Sequence, residues 1–398
     1  MTRARILPLA LLALLCASAG TGRALDWRES SRVSADGDAA SARSDEFAWR
    51  LFVALNAPGH GRRTGNDPAV IWEDWATSVD VYRADGADPG AWPAPGAGRE
   101  VAERRFESLS MSGLQNVRHI VAGKMVPLEG SLTDAPRLVE IRMNRIAYDY
   151  IRSGGLYNLE GQLRWVTERH AVQFPRGAVQ LKASWRPIDV RDQGRYHSLN
   201  VRFADGSTRL FGLTALNIAA KVRPTWIWAS FEHVDNAARP GADGWKLPSR
   251  DAYACRGKPL GCNAVPGGLG LERGVWQFYR LRGTMTRYVN ATGAPQRLGN
   301  SELESGFQES ASCMTCHARA ALGLVDGKPR RLPVFAPGSG DDLRVRHGYL
   351  GVPDPAWYSD SASGDRQRSD LQPQDFVWSL AQARPRLPAG PDPQGASP

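Results

Sequence analysis

The chain has 398 residues, 42% hydrophobic and 23% charged, a composition that excludes an intrinsically disordered protein. Its formal net charge is +9, yet no Lys/Arg block alternates with aromatics as a nucleic-acid surface requires. The basic balance instead suits an acidic partner protein or an anionic substrate.

Residues 1–24 read as a secretory signal: Arg3 and Arg5 precede the apolar run Ile6 to Leu15, and small residues follow. Cleavage is expected after Ala19 or after Ala24, and in the latter case loss of Arg3, Arg5 and Arg23 takes the net charge from +9 to +6. Cys16 raises a lipoprotein alternative, but Leu15 before it is not the small residue that processing favours. The expected location is therefore the periplasm. No later run is long enough to span a membrane. About 375 mature residues exceed one small core, so two structural units are expected.

Ser44 reads as an N-cap, with Asp45 and Glu46 in the first turn and Phe47, Leu51 and Leu55 at helical spacing. This helix should end before Asn56-Ala57-Pro58-Gly59. Residues 56–100 are rich in Gly, Pro and Asp and should wrap the surface, with Ile71-Trp72-Glu73-Asp74-Trp75 as a packing anchor. From about 115 to 235 the period becomes two. Val139, Ile141 and Met143 alternate with Glu140, Arg142 and Asn144, and Val179, Leu181, Ala183 and Trp185 with Gln180, Lys182, Ser184 and Arg186. Leu199, Val201 and Phe203 continue the pattern, with Asp205-Gly206 as a hairpin turn and a helical turn over Tyr148 to Ile151. Antiparallel strands with one face on a core and one in water are predicted, arranged as a sandwich.

In Trp226 through Asn236, aromatic density predicts a buried strand running into a polar loop. Either His233 is a structural histidine, or Glu232, His233 and Asp235 face a bound group. Cys255 and Cys262 enclose a short loop and are predicted to pair as a disulfide. Ser301 to Glu304 fits a capping box, and Leu303, Phe307, Ala311 and Met314 follow at helical spacing, with Gly323 as the stop. A closing helix is predicted from Pro373 to Leu380, and a disordered tail from Arg384 to Pro398.

The helix predicted from Ser301 runs into Ser312-Cys313-Met314-Thr315-Cys316-His317-Ala318. Cys-x-x-Cys-His is the attachment sequence of a c-type haem, in which two thiols add to the vinyl groups and the imidazole ligates iron. Positions i, i+3 and i+4 share one helix face, so all three side chains can meet one porphyrin. Half a zinc site, a redox dithiol and an ordinary disulfide are the competing readings. Zinc needs a second ligand pair, for which Cys255 and Cys262 are the remaining mature cysteines, and a thioredoxin-type dithiol needs a βαβ setting that the pattern lacks. Hydrolase, zincin, phosphate-loop and dinucleotide motifs are absent, as is any internal repeat.

The motif and its helix resemble the cytochrome c superfamily. The wider pattern is similar to large bacterial exported monohaem proteins of the cytochrome c family, through Phe47–Trp49 to Asn56–Pro58, Gly177–Trp185, Trp226–Asn236 and Ser312–Ala318. The resemblance implies one covalent haem c on Cys313 and Cys316, iron on His317, and electron transfer with a periplasmic redox partner. The expected fold is α+β: a β-rich domain over 25–290, then a small, mainly helical cytochrome c-like segment over 291–383. One departure stands out, because no methionine follows Met314. The candidates for a distal ligand are His347, Met285 and His233. Two strong axial ligands make an electron carrier, whereas an open iron under the β-rich domain makes a peroxidase- or oxygenase-like enzyme, or a sensor of redox state or a diatomic gas.

Overall fold

The computed structural model describes residues 37–59, 69–92, 107–108, 138–202, 208–238, 244–335, 348–358 and 371–387. The expected signal with Cys16, the Asp205-Gly206 turn and His347 lie outside the described residues. Among the described residues, no helix is long and apolar enough to cross a membrane.

The protein is α+β, built around one antiparallel sheet of eight strands. In chain order these are β1 (Ala76–Thr77), β2 (Glu107–Ser108), β3 (Leu138–Met143), β4 (Val179–Pro187), β5 (Ser198–Arg202), β6 (Thr208–Ala220), β7 (Ile227–His233) and β8 (Tyr279–Met285). The path across the sheet is β1-β3-β4-β6-β7-β8, with β2 beside β3 and β5 beside β6. A second sheet of three strands, β10-β9-β11, uses β9 (Ala321–Val325), β10 (Lys328–Arg331) and β11 (Leu371–Pro373).

Among the described residues the strands do not divide into the two facing sheets of the predicted sandwich. All eight strands share one sheet, and helices and loops cover its two faces. On one face, Leu181, Ala183 and Trp185 of β4, Leu216 and Ile218 of β6, and Phe231 of β7 enter a core with helix α1 (Gly37–Leu55). Phe47, Leu51, Phe52 and Leu55 of α1 are buried there, and Phe52 stacks on Phe231 at 4.3 Å between ring centroids. The helix begins before the predicted Ser44 cap and ends at Leu55, before the Pro58-Gly59 turn.

The other face of β4, expected in water, is covered as well. Period two tells which residues share a side, but what covers that side is decided by distant chain. The polar residues of β3 also turn inward. Glu140 and Arg142 are buried and paired at 2.8 Å, Trp185 Nε1 donates to Glu140, and Arg142 donates to the carbonyls of Glu73 and Trp75. Buried charges persist when paired and hydrogen-bonded in this way. The partner carbonyls belong to the Trp72 segment, a 3₁₀ turn over Ile71–Asp74 with the indole fully buried.

Where one helical turn was predicted near Tyr148, helix α3 (Arg145–Ser153) forms, capped by the Asn144 side chain, after a short α2 (Ser78–Val81) and before α4 (Leu159–Thr167). The long helix predicted from Ser301 is absent. Asn300 Oδ1 accepts the N–H groups of Glu302 and Leu303, and Glu304 accepts that of Asn300, so a capping exchange forms one residue early. No helix follows it, because neighbouring side chains serve tertiary partners: Glu302 pairs with Arg186 at 2.7 Å and is buried. Helix α5 is only Cys313–Ala318, capped by Ser312. Gly323 lies inside β9, and the predicted closing helix is β11 followed by a 3₁₀ turn over Trp378–Gln382. After residue 291, the described chain is therefore strands, turns and one six-residue α-helix, not a mainly helical segment. Residues Arg384 to Leu387 hold to the body through a bridge from Arg384 to Asn158 and a bond from the Leu387 N–H to Asp85 O.

Asp45 on α1 is buried, its carboxylate accepting from the Thr284 hydroxyl at 2.6 Å and the Ala252 N–H at 2.7 Å. Burial pushes it up to about 7. A folded value above the unfolded one means that the stability contribution is full below about pH 4 and is lost as pH rises through 7. Asp45→Asn, whose amide can face the Thr284 hydroxyl, should remove about 2–3 kcal/mol of the stability lost between about pH 5 and pH 8. Urea unfolding at the two pH values measures it.

Candidate functional site

Helix α5 is too short to stand alone and is fixed by its surroundings. Met314, Thr315 and Ala318 are buried against the body, while Cys313, Cys316 and His317 share the opposite face and line one cavity. Thr315 donates to the Gly351 carbonyl at 2.7 Å, and the Ser312 hydroxyl donates to Met285 Sδ at 3.3 Å. Trp378 Nε1 donates to the Cys316 carbonyl at 3.0 Å, tying a helix end to the 3₁₀ turn. Both motif thiols are free. Burial raises them, Cys313 well above the ordinary thiol range, so neither is an activated thiolate.

His317 Nδ1 lies 2.8 Å from the carbonyl oxygen of Phe376. A carbonyl only accepts, so Nδ1 carries the proton and Nε2 keeps a free lone pair. Metal-ligating histidines are held in this way by a backbone carbonyl on the second nitrogen. The ring rests 4.4 Å from that of Trp228, and burial pushes it down to about 4, so it is neutral at pH 7. Cys313, Cys316 and His317 keep some accessible surface, but protein atoms surround them. That surface opens on the cavity.

The cavity measures about 230 Å³, more than the about 150 Å³ that accommodates benzene in an apolar protein interior. Its floor is the second face of the large sheet, with Ile141, Lys182, Asn217, Ala219 and Trp228 from four neighbouring strands. Leu303, Phe307, Phe335 and Phe376 enclose it, so the lining is mainly apolar. Glu304 also lines it, with its carboxyl bonded to the Asn300 N–H at 2.8 Å and pushed up to about 7 by burial.

Two of the three distal candidates do not reach this cavity. Met285 is buried at the end of β8, where its sulfur accepts the Ser312 hydroxyl. His233 is fully buried and stacked on Tyr196 at 3.7 Å. Its Nε2 lies 3.1 Å from Arg195 O, and Nδ1 accepts the Asp235 N–H, so both ring nitrogens are engaged. Glu232 bonds Ser301, Asn236 and Trp245, and Asp235 pairs with Arg195. Of the two readings of Glu232, His233 and Asp235, these contacts favour the structural one, and none of the three lines the cavity. His347 lies outside the described residues. Its neighbour Gly348 donates to the Ser310 hydroxyl at 3.0 Å.

Cys255 and Cys262 are paired, with sulfurs 2.01 Å apart, so they cannot complete a zinc site with the motif cysteines. Lys182, Asn217 and Phe376 were not picked out from the sequence. The strict alternation over 179–185 carried a signal for Lys182, because it set that residue on the side opposite the core. No protein-family model, curated protein or solved structure matches the chain.

The segment 348–358 is strapped beneath α5, with the Arg319 guanidinium 4.0 Å from the Tyr349 ring and 4.4 Å from the Trp357 ring. A Cβ on Gly348 would meet Ser310 O and lie 2.9 Å from Ala311 Cα, both backbone atoms. Gly348→Ala should cost about 1–3 kcal/mol by overpacking. Urea unfolding measures the loss, and limited proteolysis should show faster cleavage within 348–358.

Proposed function

We propose that this chain is an exported c-type haem protein that transfers electrons in the periplasm with a redox partner protein. Cys313 and Cys316 hold one haem covalently, and His317 Nε2 ligates its iron. The observation that carries this reading is the His317–Phe376 contact, which leaves Nε2 available in the same apolar cavity that both thiols line. Attached there, haem c supplies a one-electron iron couple.

The residues present fit that group. The two thiols are reduced, one helical turn apart and on one face. The Phe376 carbonyl fixes the imidazole tautomer and raises its basicity as a ligand. Trp228, Phe335 and Phe376 give the cavity apolar walls, and such a shell governs potential through solvent access and local dielectric. The likeness to the cytochrome c superfamily rests on the attachment motif, since the surroundings here are a sheet.

A second reading is a peroxidase- or oxygenase-like haem enzyme. It is favoured by the cavity lining, where His317 is the one imidazole and no thioether enters among the described residues.

Cys313→Ala with Cys316→Ala should abolish haem staining after denaturing electrophoresis and bring the mass to that of the processed polypeptide. Far-UV circular dichroism should change little, because the large sheet does not depend on the thiols. A colourless wild-type protein purified from a host that matures c-type haems, or haem staining that survives in the double variant, overturns the assignment.

A further inference from the structure

The cavity floor carries one cation among the described residues, Lys182, in the middle of β4. β4 lies inside the sheet, with β3 on one side and β6 on the other, and Lys182 stands directly between Ile141 and Asn217. His317 leans on Trp228, which belongs to β7, two strands from β4. Strands are spaced about 4.7–4.9 Å apart and rise about 3.3 Å per residue, and Trp228 lies two residues along from the position level with Lys182, so the lysine and the indole rise from the floor about 12 Å apart. The small Ala219 and the amide Asn217 lie between them on β6. Imidazole and ammonium thus enter one apolar cavity from separated points.

The surroundings hold this arrangement in place. Asn217 Oδ1 accepts from Asn300 Nδ2 at 3.3 Å, and the same Asn300 gives its backbone N–H to Glu304. Lys182 acts electrostatically on Glu304, so its charge is already part of the cavity's polar set. Haem carboxylates favour water, and a mid-strand position on a covered sheet face is a poor place to meet them. A charge in the floor of an apolar cavity is better suited to a small negative group held inside, where the low local dielectric strengthens the attraction.

We propose that Lys182 is the specificity-determining residue of a binding site for a small inorganic anion in this cavity, where a haem held by Cys313, Cys316 and His317 would supply the iron and Lys182 would stabilise the anion's negative end. This rests on the haem reading above and extends it: the site selects ligands by charge, favouring anions over neutral diatomics.

The test uses the full-length exported holoprotein, with haem staining on denaturing gels run for each sample. Optical titrations follow azide and fluoride on the ferric protein and carbon monoxide on the ferrous protein. Lys182→Gln should weaken azide and fluoride binding by about tenfold or more, as loss of one charge-assisted contact implies, and shift carbon monoxide affinity by less than about threefold. Lys182→Arg, which keeps the charge, should restore most of the anion affinity. Lys182→Met keeps the stem's packing and serves as a second neutral variant where Lys182→Gln does not fold. Unchanged anion affinity in the neutral variants overturns the proposal, as does an equal loss for anions and carbon monoxide. A low-spin wild type that turns high-spin in Lys182→Gln also overturns it, because the amine is then the iron ligand itself. Absence of haem stain in the wild type is a separate outcome, and sinks the haem reading on which the proposal rests.

Discussion

Phe376 aims its carbonyl at His317, and much of the site follows from that one contact across 59 residues of sequence. The geometry is not relaxed. Phe376 has φ 68° and Asp375 φ 48°, both in the left-handed region, and Trp226 across the cavity wall has φ 61°. Each such residue costs of order 1–3 kcal/mol and persists only where its surroundings over-determine it. Here Asp375 is the anchor. Its carboxylate accepts Lys221 Nζ at 2.6 Å, the Phe174 N–H at 2.7 Å and Trp226 Nε1 at 3.3 Å. A partly buried ion pair with added hydrogen bonds thus locks the backbone that fixes one imidazole tautomer.

The large sheet has two roles, one on each face. Against α1 it forms an aromatic and aliphatic core, with Trp49, Phe52 and Phe231 in mutual contact. Against the C-terminal chain it forms a cavity floor that mixes Ile141 and Ala219 with Lys182 and Asn217. A floor taken from central strands is rigid, because its backbone is paired on both sides. Rigid elements place functional groups more accurately than loops do.

Local signals were legible in the sequence where chemistry or period is local. Cys313, Cys316 and His317 share a face because an α-helix forces i, i+3 and i+4 together, and the 179–185 alternation divides core from cavity as a strand must. The helix ending at Leu55 was equally visible in its apolar spacing and in the Pro58-Gly59 stop. What failed was decided by contacts far away in sequence. The capping signal at Ser301 gave no helix because Glu302 is claimed by Arg186 and Ser301 by Glu232. Met285 and His233 carry suitable donor atoms but spend them on Ser312 and on Arg195 and Asp235, which no spacing rule reveals. A sandwich is not seen among the described residues, and alternation alone cannot say whether a helix, a loop or another sheet covers a face.

The same contacts explain why so much chain precedes the motif. Six helical residues cannot fold by themselves, since helix nucleation costs more than so few hydrogen bonds return. Here α5 borrows its order from a core that joins Met143 of β3, Trp226, Trp228 and Met285 to Met314, Val377 and Leu380. That core includes residues on both sides of the boundary expected at residue 290. Unlike a compact helical carrier of about a hundred residues, this chain builds the walls of the site from its sheet. The two thiols and one imidazole come from the motif, and the sheet supplies what surrounds them. Lys182 and Asn217 of that sheet line the cavity beside the motif, and the Cys-x-x-Cys-His spacing does not encode them.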